Sequence, residues 1–125
     1  MSSHVPENQA SPNTRGRIIV ADDHPIFRGG LCHIVKRTFP GFAIAEACEW
    51  SEVLTAARQE PVPSMFILDL MFPGLNMNHS IKDIRAEFPQ AFIIIVSMLN
   101  DREVIDRVIR AGADGFIGKD VPPEE

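Results

Sequence analysis

After residue 16 the chain alternates short apolar runs with longer segments whose apolar residues recur at helical spacing. Residues 65–68 (MFIL) and 92–96 (FIIIV) are continuously apolar, the pattern of a strand covered on both faces rather than one. Shorter runs at 17–21, 42–47 and 115–118 bring the predicted strands to five. From Pro25 onward, Phe27, Leu31, Ile34 and Val35 trace one side of a helix. Pro25 suits its first turn, where a missing N–H costs nothing. Gly29 and Gly30 weaken that helix by about 1 kcal/mol each, which implies tight packing or a loosened turn there. Val53, Leu54 and Ala57 mark a second helix over 50–59. Ile81, Ile84 and Phe88 mark a third, ended by Pro89. Val104, Ile105, Val108 and Ile109 mark a fourth, capped by Asn100 or Asp101 and closed by Gly112.

Strands alternating with helix-length crossovers predict an α/β domain, a doubly wound sheet of five parallel strands with helices on both faces. The last strand is followed only by a few residues ending in VPPEE. The final helix is therefore expected to be truncated or absent, the chain being a fragment cut inside or before it, or the helix coming from a partner molecule. Residues 1–15 (MSSHVPENQASPNTR) are polar and aperiodic and read as a disordered leader, which leaves 16–125 as one domain.

Composition narrows the function classes. The net charge of -5 supplies no positive field for a nucleic-acid backbone. Cys32 and Cys48 are too few and too far apart for a disulfide framework or zinc site and read as small, partly buried apolar residues. No apolar stretch approaches membrane-spanning length, and a cytoplasmic location is the default.

Chemistry in an open parallel sheet collects outside the carboxyl ends of its strands. Four of the five predicted ends carry polar groups: Asp22 and Asp23 after the first, Asp69 at the third, Ser97 after the fourth and Lys119 after the fifth. The doublet alone could be a helix cap beside a solvated acid. Asp69 follows FIL in a central strand, where carboxylates are rare unless used or paired. Three converging carboxylates repel one another, and an all-oxygen cluster of this kind suits Mg2+ better than zinc. With Lys119 and Ser97 to hold an incoming oxygen, this is the equipment for phosphoryl transfer onto an aspartate. No nucleotide-binding glycine motif occurs. His24 reads as a helix-start residue at the rim, Trp50 as a locally packed one, and Phe116 as either core or a mobile aromatic.

The segments ADDHP, LDLMFPG, VSMLND and GADGFIGKD resemble the receiver domain of bacterial two-component response regulators, and DDHPIFRGGL with GADGFIGKD is similar to the NarL/LuxR type in particular. The likeness runs from about Arg17 to Asp120. It implies a flavodoxin-like (CheY-like) fold with strand order 2-1-3-4-5, phosphorylated on Asp69 by a histidine kinase, and no enzyme in its own right. By the same likeness Asp23, Asp69 and the carbonyl of Met71 hold Mg2+ directly and Asp22 holds it through water. Ser97 is then the switch hydroxyl, Phe116 the switch aromatic and Lys119 the phosphoryl-binding lysine. The implied output is homodimerisation and DNA binding through a downstream helix-turn-helix domain. Phe72, Met77 and Met98 depart from the usual pattern of the loops. Two other readings stand beside this one: a docking or dimerisation module without phosphorylation, and a phosphatase with an aspartyl nucleophile. Such phosphatases commonly place a second acid two residues after the nucleophile, where this chain has Met71.

Overall fold

The computed structural model describes residues 15–119. Strands β1 (Gly16–Ala21), β2 (Phe42–Ala47), β3 (Met65–Asp69), β4 (Phe92–Ser97) and β5 (Gly115–Gly118) alternate with helices α1 (Pro25–Thr38), α2 (Trp50–Ala57), α3 (Ser80–Glu87) and α4 (Arg102–Ala111). All strand pairs are parallel, in the expected order β2-β1-β3-β4-β5. Of the leader expected at 1–15, residues 1–14 lie outside the described residues, as do 120–125, where the truncated final helix is expected; Arg15 is described, and its N donates to Gly41 O at 2.9 Å.

Successive strand residues point to opposite faces, and the core divides accordingly. Ile19, Ala21, Phe66, Leu68, Ile93 and Ile95 pack with Val53 of α2, Ile81 and Ile84 of α3 and Val108 of α4. On the other face Ile18, Val20, Ile67 and Val96 meet Leu31, Cys32 and Val35 of α1. Each large side chain so buried stabilises the fold by about 1.5–3 kcal/mol. Among the described residues the α1 face carries a thinner cover: a groove of about 660 Å³ runs beside α1 over β4 and β5, lined by Phe27, Leu31, Ile34, Phe39, Ile94 and Ile117 among others.

Several local readings need correction. Helix α1 passes unbroken through Gly29 and Gly30, and Gly29 is exposed with open space where a side chain would stand, so neither tight packing nor a loosened turn accounts for it. Helix α2 stops at Ala57, two residues early. Arg17, a fully buried strand residue, satisfies the carbonyls at this exit. Its Nη2 donates to Ala56 O at 2.6 Å, and its Nη1 donates to Gln59 O at 3.0 Å and Pro61 O at 2.9 Å. Burial lowers the Arg17 pKa from the ordinary guanidinium value, since desolvation penalises the charged form. Cys48 is exposed rather than partly buried, because it lies just past β2 at the rim, where its Sγ accepts from Arg28 Nη1 at 3.3 Å. In α4 the cap is Asp101, which accepts from Val104 N at 3.0 Å. Only Val108 of its four predicted apolar residues is fully buried, because the edge strand β5 is four residues long and offers the stripe little to pack on.

Candidate functional site at the carboxyl ends of the strands

Strands β3 and β4 each run one residue further than expected, so Asp69 and Ser97 belong to the ladder: Asp69 pairs in register with Val96, and Ser97 with Gly118. Their backbones are thereby fixed by neighbouring strands. Asp22, Asp69 and Ser97 are 0%, 1% and 0% exposed, whereas the Asp23 side chain remains 39% exposed. Asp22 does not cap α1. The N-cap position is His24, with no side-chain cap bond, and Asp22 Oδ1 instead accepts from His24 N at 2.8 Å in the turn leading to the helix.

Lys119 brings the cluster together. Its Nζ lies 2.9 Å from Asp22 Oδ2, 3.2 Å from Asp69 Oδ2 and 2.9 Å from His24 Nδ1, and sits 4.8 Å above the centre of the Phe27 ring. The contact with Asp22 is an ion pair without hydrogen-bond alignment, so the buried Oδ2 keeps an unused acceptor site. Asp69 Oδ1 accepts from Met71 N at 3.1 Å. Ser97 Oγ accepts from Leu99 N at 2.9 Å, and Ser97 O accepts from Lys119 N at 2.8 Å, so the two polar residues expected to grip a ligand are joined through backbone. At the flank, Arg28 donates through Nη1 to Asp22 O at 2.8 Å and through Nε to Glu46 at 2.9 Å. Its hydrogen bond to the Glu46 carboxylate raises the Arg28 pKa, offsetting the opposing effect of burial.

Three carboxylates face one ammonium, an excess of negative charge at a rim where Asp22 and Asp69 are buried while Asp23 and His24 reach solvent. Ligand atoms of Asp22, Asp23, His24 and Asp69 all lie within 4.8 Å of one another. Hard oxygen donors, and an Asp22 Oδ2 that has the Lys119 ammonium beside it but no aligned hydrogen bond, make these residues a fit for a divalent cation. The structure thus converges every predicted acid and Lys119. Met71 joins through its backbone N–H, while its side chain is 60% exposed. Phe116 is half-buried and packs against the core cluster shared by α2, α3 and α4. Phe72 is buried, Met77 is partly buried against that cluster, and Met98 is exposed. Trp50 packs locally as expected: its Cβ lies 2.8 Å from where a Gly74 Cβ would stand, Gly74 has a φ of 89°, and the Trp50 backbone N–H donates to Pro73 O at 3.1 Å.

Sequence reasoning placed His24 at the helix start and missed its entry into the cluster. Only its adjacency to the acid doublet hinted at this, because its lysine partner is 95 positions away.

Residues 18–125 match the response regulator receiver domain family. The glycerol metabolism activator of Pseudomonas putida is 33% identical over 106 residues, covering 85% of this chain and 48% of that protein. The oxygen regulatory protein NreC of Staphylococcus haemolyticus is 33% identical over 110 residues, covering 87% and 50%. The nitrate/nitrite response regulator protein NarL of Escherichia coli is 28% identical over 108 residues, covering 86% and 50%. The chain spans about half the length of these curated relatives. Among solved structures, a LuxR-family two-component response regulator from Aurantimonas sp. SI85-9A1 superposes with a TM-score of 0.74 at 33% identity, over 88% of this chain and 78% of that one. The signal receiver domain of the putative response regulator NarL from Mycobacterium tuberculosis gives 0.72 at 23% identity, over 90% of each. The fold, the rim of acids and these likenesses together show that the chain belongs to the response regulator receiver domain family, with its relatives among NarL/LuxR-type regulators.

Proposed function

We propose that residues 16–125, behind a leader at 1–15, form a phosphorylation-controlled switch in which Asp69 accepts a phosphoryl group from a histidine kinase. The observation that carries this reading is the Asp69 carboxylate itself: 1% exposed, fixed in the central β3 ladder, and held 3.2 Å from the Lys119 ammonium beside two further acids. In the transfer, a carboxylate oxygen of Asp69 attacks phosphorus, the O–P bond forms as the N–P bond to the kinase imidazole breaks, and the electron pair returns to the departing nitrogen. Asp23, Asp69 and the carbonyl of Met71 would hold Mg2+, with Asp22 acting through water. When bound, this ion neutralises charge on the attacking and transferring oxygens. Lys119 binds a phosphoryl oxygen by a charge-assisted contact, and Ser97 supplies its hydroxyl to the same group.

The bond from Lys119 N to Ser97 O ties the ends of β4 and β5 together. Displacement of either residue toward the phosphoryl group therefore pulls on β5, where Phe116 is half-buried. Phe116 acts as the switch aromatic, favouring its inward position when Asp69 is phosphorylated. The receiver in turn controls dimerisation and a DNA-binding helix-turn-helix module. This is supported by the length of its relatives, about twice the matched segment, and by the LuxR-family neighbour. The domain itself, with a charge of -5, does not bind nucleic acid. No helix among the described residues is long and apolar enough to cross a membrane, in keeping with action in the cytoplasm.

The test is intact mass after incubation with a small acyl phosphate and Mg2+. A gain of one phosphoryl group in the parent and none in folded Asp69→Ala supports the switch. An unchanged parent mass favours a docking-only module, and continuous release of phosphate from added esters favours a phosphatase.

A further inference from the structure

The His24 imidazole is unused by the phosphoryl-transfer scheme, yet it stands inside the cluster that serves it. Its Nδ1 is 3.2 Å from Asp22 Oδ1, 3.7 Å from Asp23 Oδ1 and 3.9 Å from Asp69 Oδ2. Ligands bound to one small divalent ion at about 2.1 Å lie roughly 3.0 Å apart when adjacent and about 4.2 Å when opposite. The three separations already fall in that range, and the largest spread in the cluster, 4.8 Å, needs to contract by less than an ångström. The fully buried Asp22 Oδ2 meets the Lys119 ammonium at 2.9 Å without an aligned hydrogen bond, and that one ammonium faces three carboxylates, so the unmatched negative charge is the second feature that calls for a cation here.

The geometry points to His24 as a nitrogen ligand that widens this site from Mg2+ to borderline transition ions such as Zn2+ or Ni2+. This rests on the reading of the acid cluster as a divalent-cation site. The chemistry separates the two classes of ion. Mg2+ takes oxygen ligands and keeps several waters, so it gains little from an imidazole. Zn2+ and Ni2+ bind imidazole well, and their affinity rises with each nitrogen donor. Lys119 Nζ, 2.9 Å from the same Nδ1, brings its positive charge to the same ring nitrogen. A transition ion on His24 therefore displaces the ammonium from the ring, and a site so loaded has its lysine withdrawn from where a phosphoryl group arrives. The expected consequence is that such ions compete with Mg2+ and slow phosphorylation.

His24 is the N-cap of α1 and makes no side-chain cap bond. Asparagine is favoured at that position, so His24→Asn keeps the fold and substitutes an oxygen donor for the nitrogen. Mg2+ and Zn2+ are titrated calorimetrically into the parent and His24→Asn, with histidine imidazole 15N shifts recorded in parallel. The expected result is a tenfold or greater loss of Zn2+ affinity in His24→Asn, with Mg2+ affinity within about twofold of the parent. In the parent, Zn2+ should move the one imidazole signal that is missing from the variant. Zn2+ affinity unchanged by the substitution, or Zn2+ shifts confined to other histidines such as His79, which lies 3.5 Å from Asp83, would overturn the assignment. Equal losses for both ions would overturn it too, by making His24 a general support rather than a selective ligand. Failure of the parent to bind Mg2+ would count against the divalent-site reading itself, a result distinct from retained Mg2+ binding with an indifferent His24.

Discussion

Lys119 is the residue on which the site's charge balance depends. Its ammonium contacts two nearly inaccessible carboxylates, and its own side chain is 4% exposed. Removing one partner from a buried ion pair leaves uncompensated charge, at a cost of about 3–5 kcal/mol. Lys119→Ala is therefore expected to lower metal-free stability by about 3 kcal/mol in a denaturant titration, and added Mg2+ should restore more stability to it than to the parent. Equal Mg2+ effects on both would argue against a shared cluster. The cysteines give a second check. Burial raises the Cys32 thiol from 9.0 to about 11, whereas Cys48 stands exposed at the rim. A thiol reagent at neutral pH should modify Cys48 and spare Cys32 until the chain unfolds, so two adducts on a folded chain would contradict the packing of α1. Because the folded pKa lies above the unfolded one, the neutral thiol favours the native state. That contribution is complete below about pH 9 and is lost as pH rises toward 11.

Among the elements, the central strands were legible in the sequence because continuous apolar runs have few alternatives to a doubly covered strand. Asp69 stood out for the same reason, a carboxylate closing such a run. Arg17 did not. A cation at the edge of an apolar run reads as the place where the strand reaches water, yet it is fully buried and bonded to carbonyls more than 35 positions away. Sequence periodicity carries no record of partners at that distance. Arg17→Met retains bulk but removes the side-chain donor from Gln59 O and Pro61 O and leaves Ala56 O with backbone donors alone. It should destabilise the domain by about 3 kcal/mol, with faster amide exchange at the end of α2 than in α3. Uniform exchange would detach Arg17 from the helix terminus. Gly112, with φ at 127° and Arg85 Cβ 2.9 Å from where its own Cβ would stand, closes α4 as the sequence indicated. Gly112→Ala should cost about 1–3 kcal/mol by thermal unfolding.

Across the molecule, the sheet delivers charge to one rim, and the described residues leave a groove on the α1 face. The order β2-β1-β3-β4-β5 places β1 and β3 side by side, and this adjacency carries Asp22 and Asp69 to the same point from positions far apart in the chain. The link from the site to the β5 edge runs through the bond between Lys119 N and Ser97 O. Phosphorylation of the parent is expected to shift amide resonances in β5 and α4, and Ser97→Ala should accept phosphate while showing much smaller shifts there. Chemical trapping identifies the phosphoacceptor, proposed to be Asp69, without recourse to the fold. The chain is treated with a small acyl phosphate and Mg2+, reduced with borohydride and digested. An aspartyl phosphate is reduced to homoserine, so the account predicts homoserine at position 69 and unmodified acids at positions 22 and 23. Recovery of intact Asp69 from a folded, Mg2+-loaded chain, or homoserine at either of the other two acids, would contradict it.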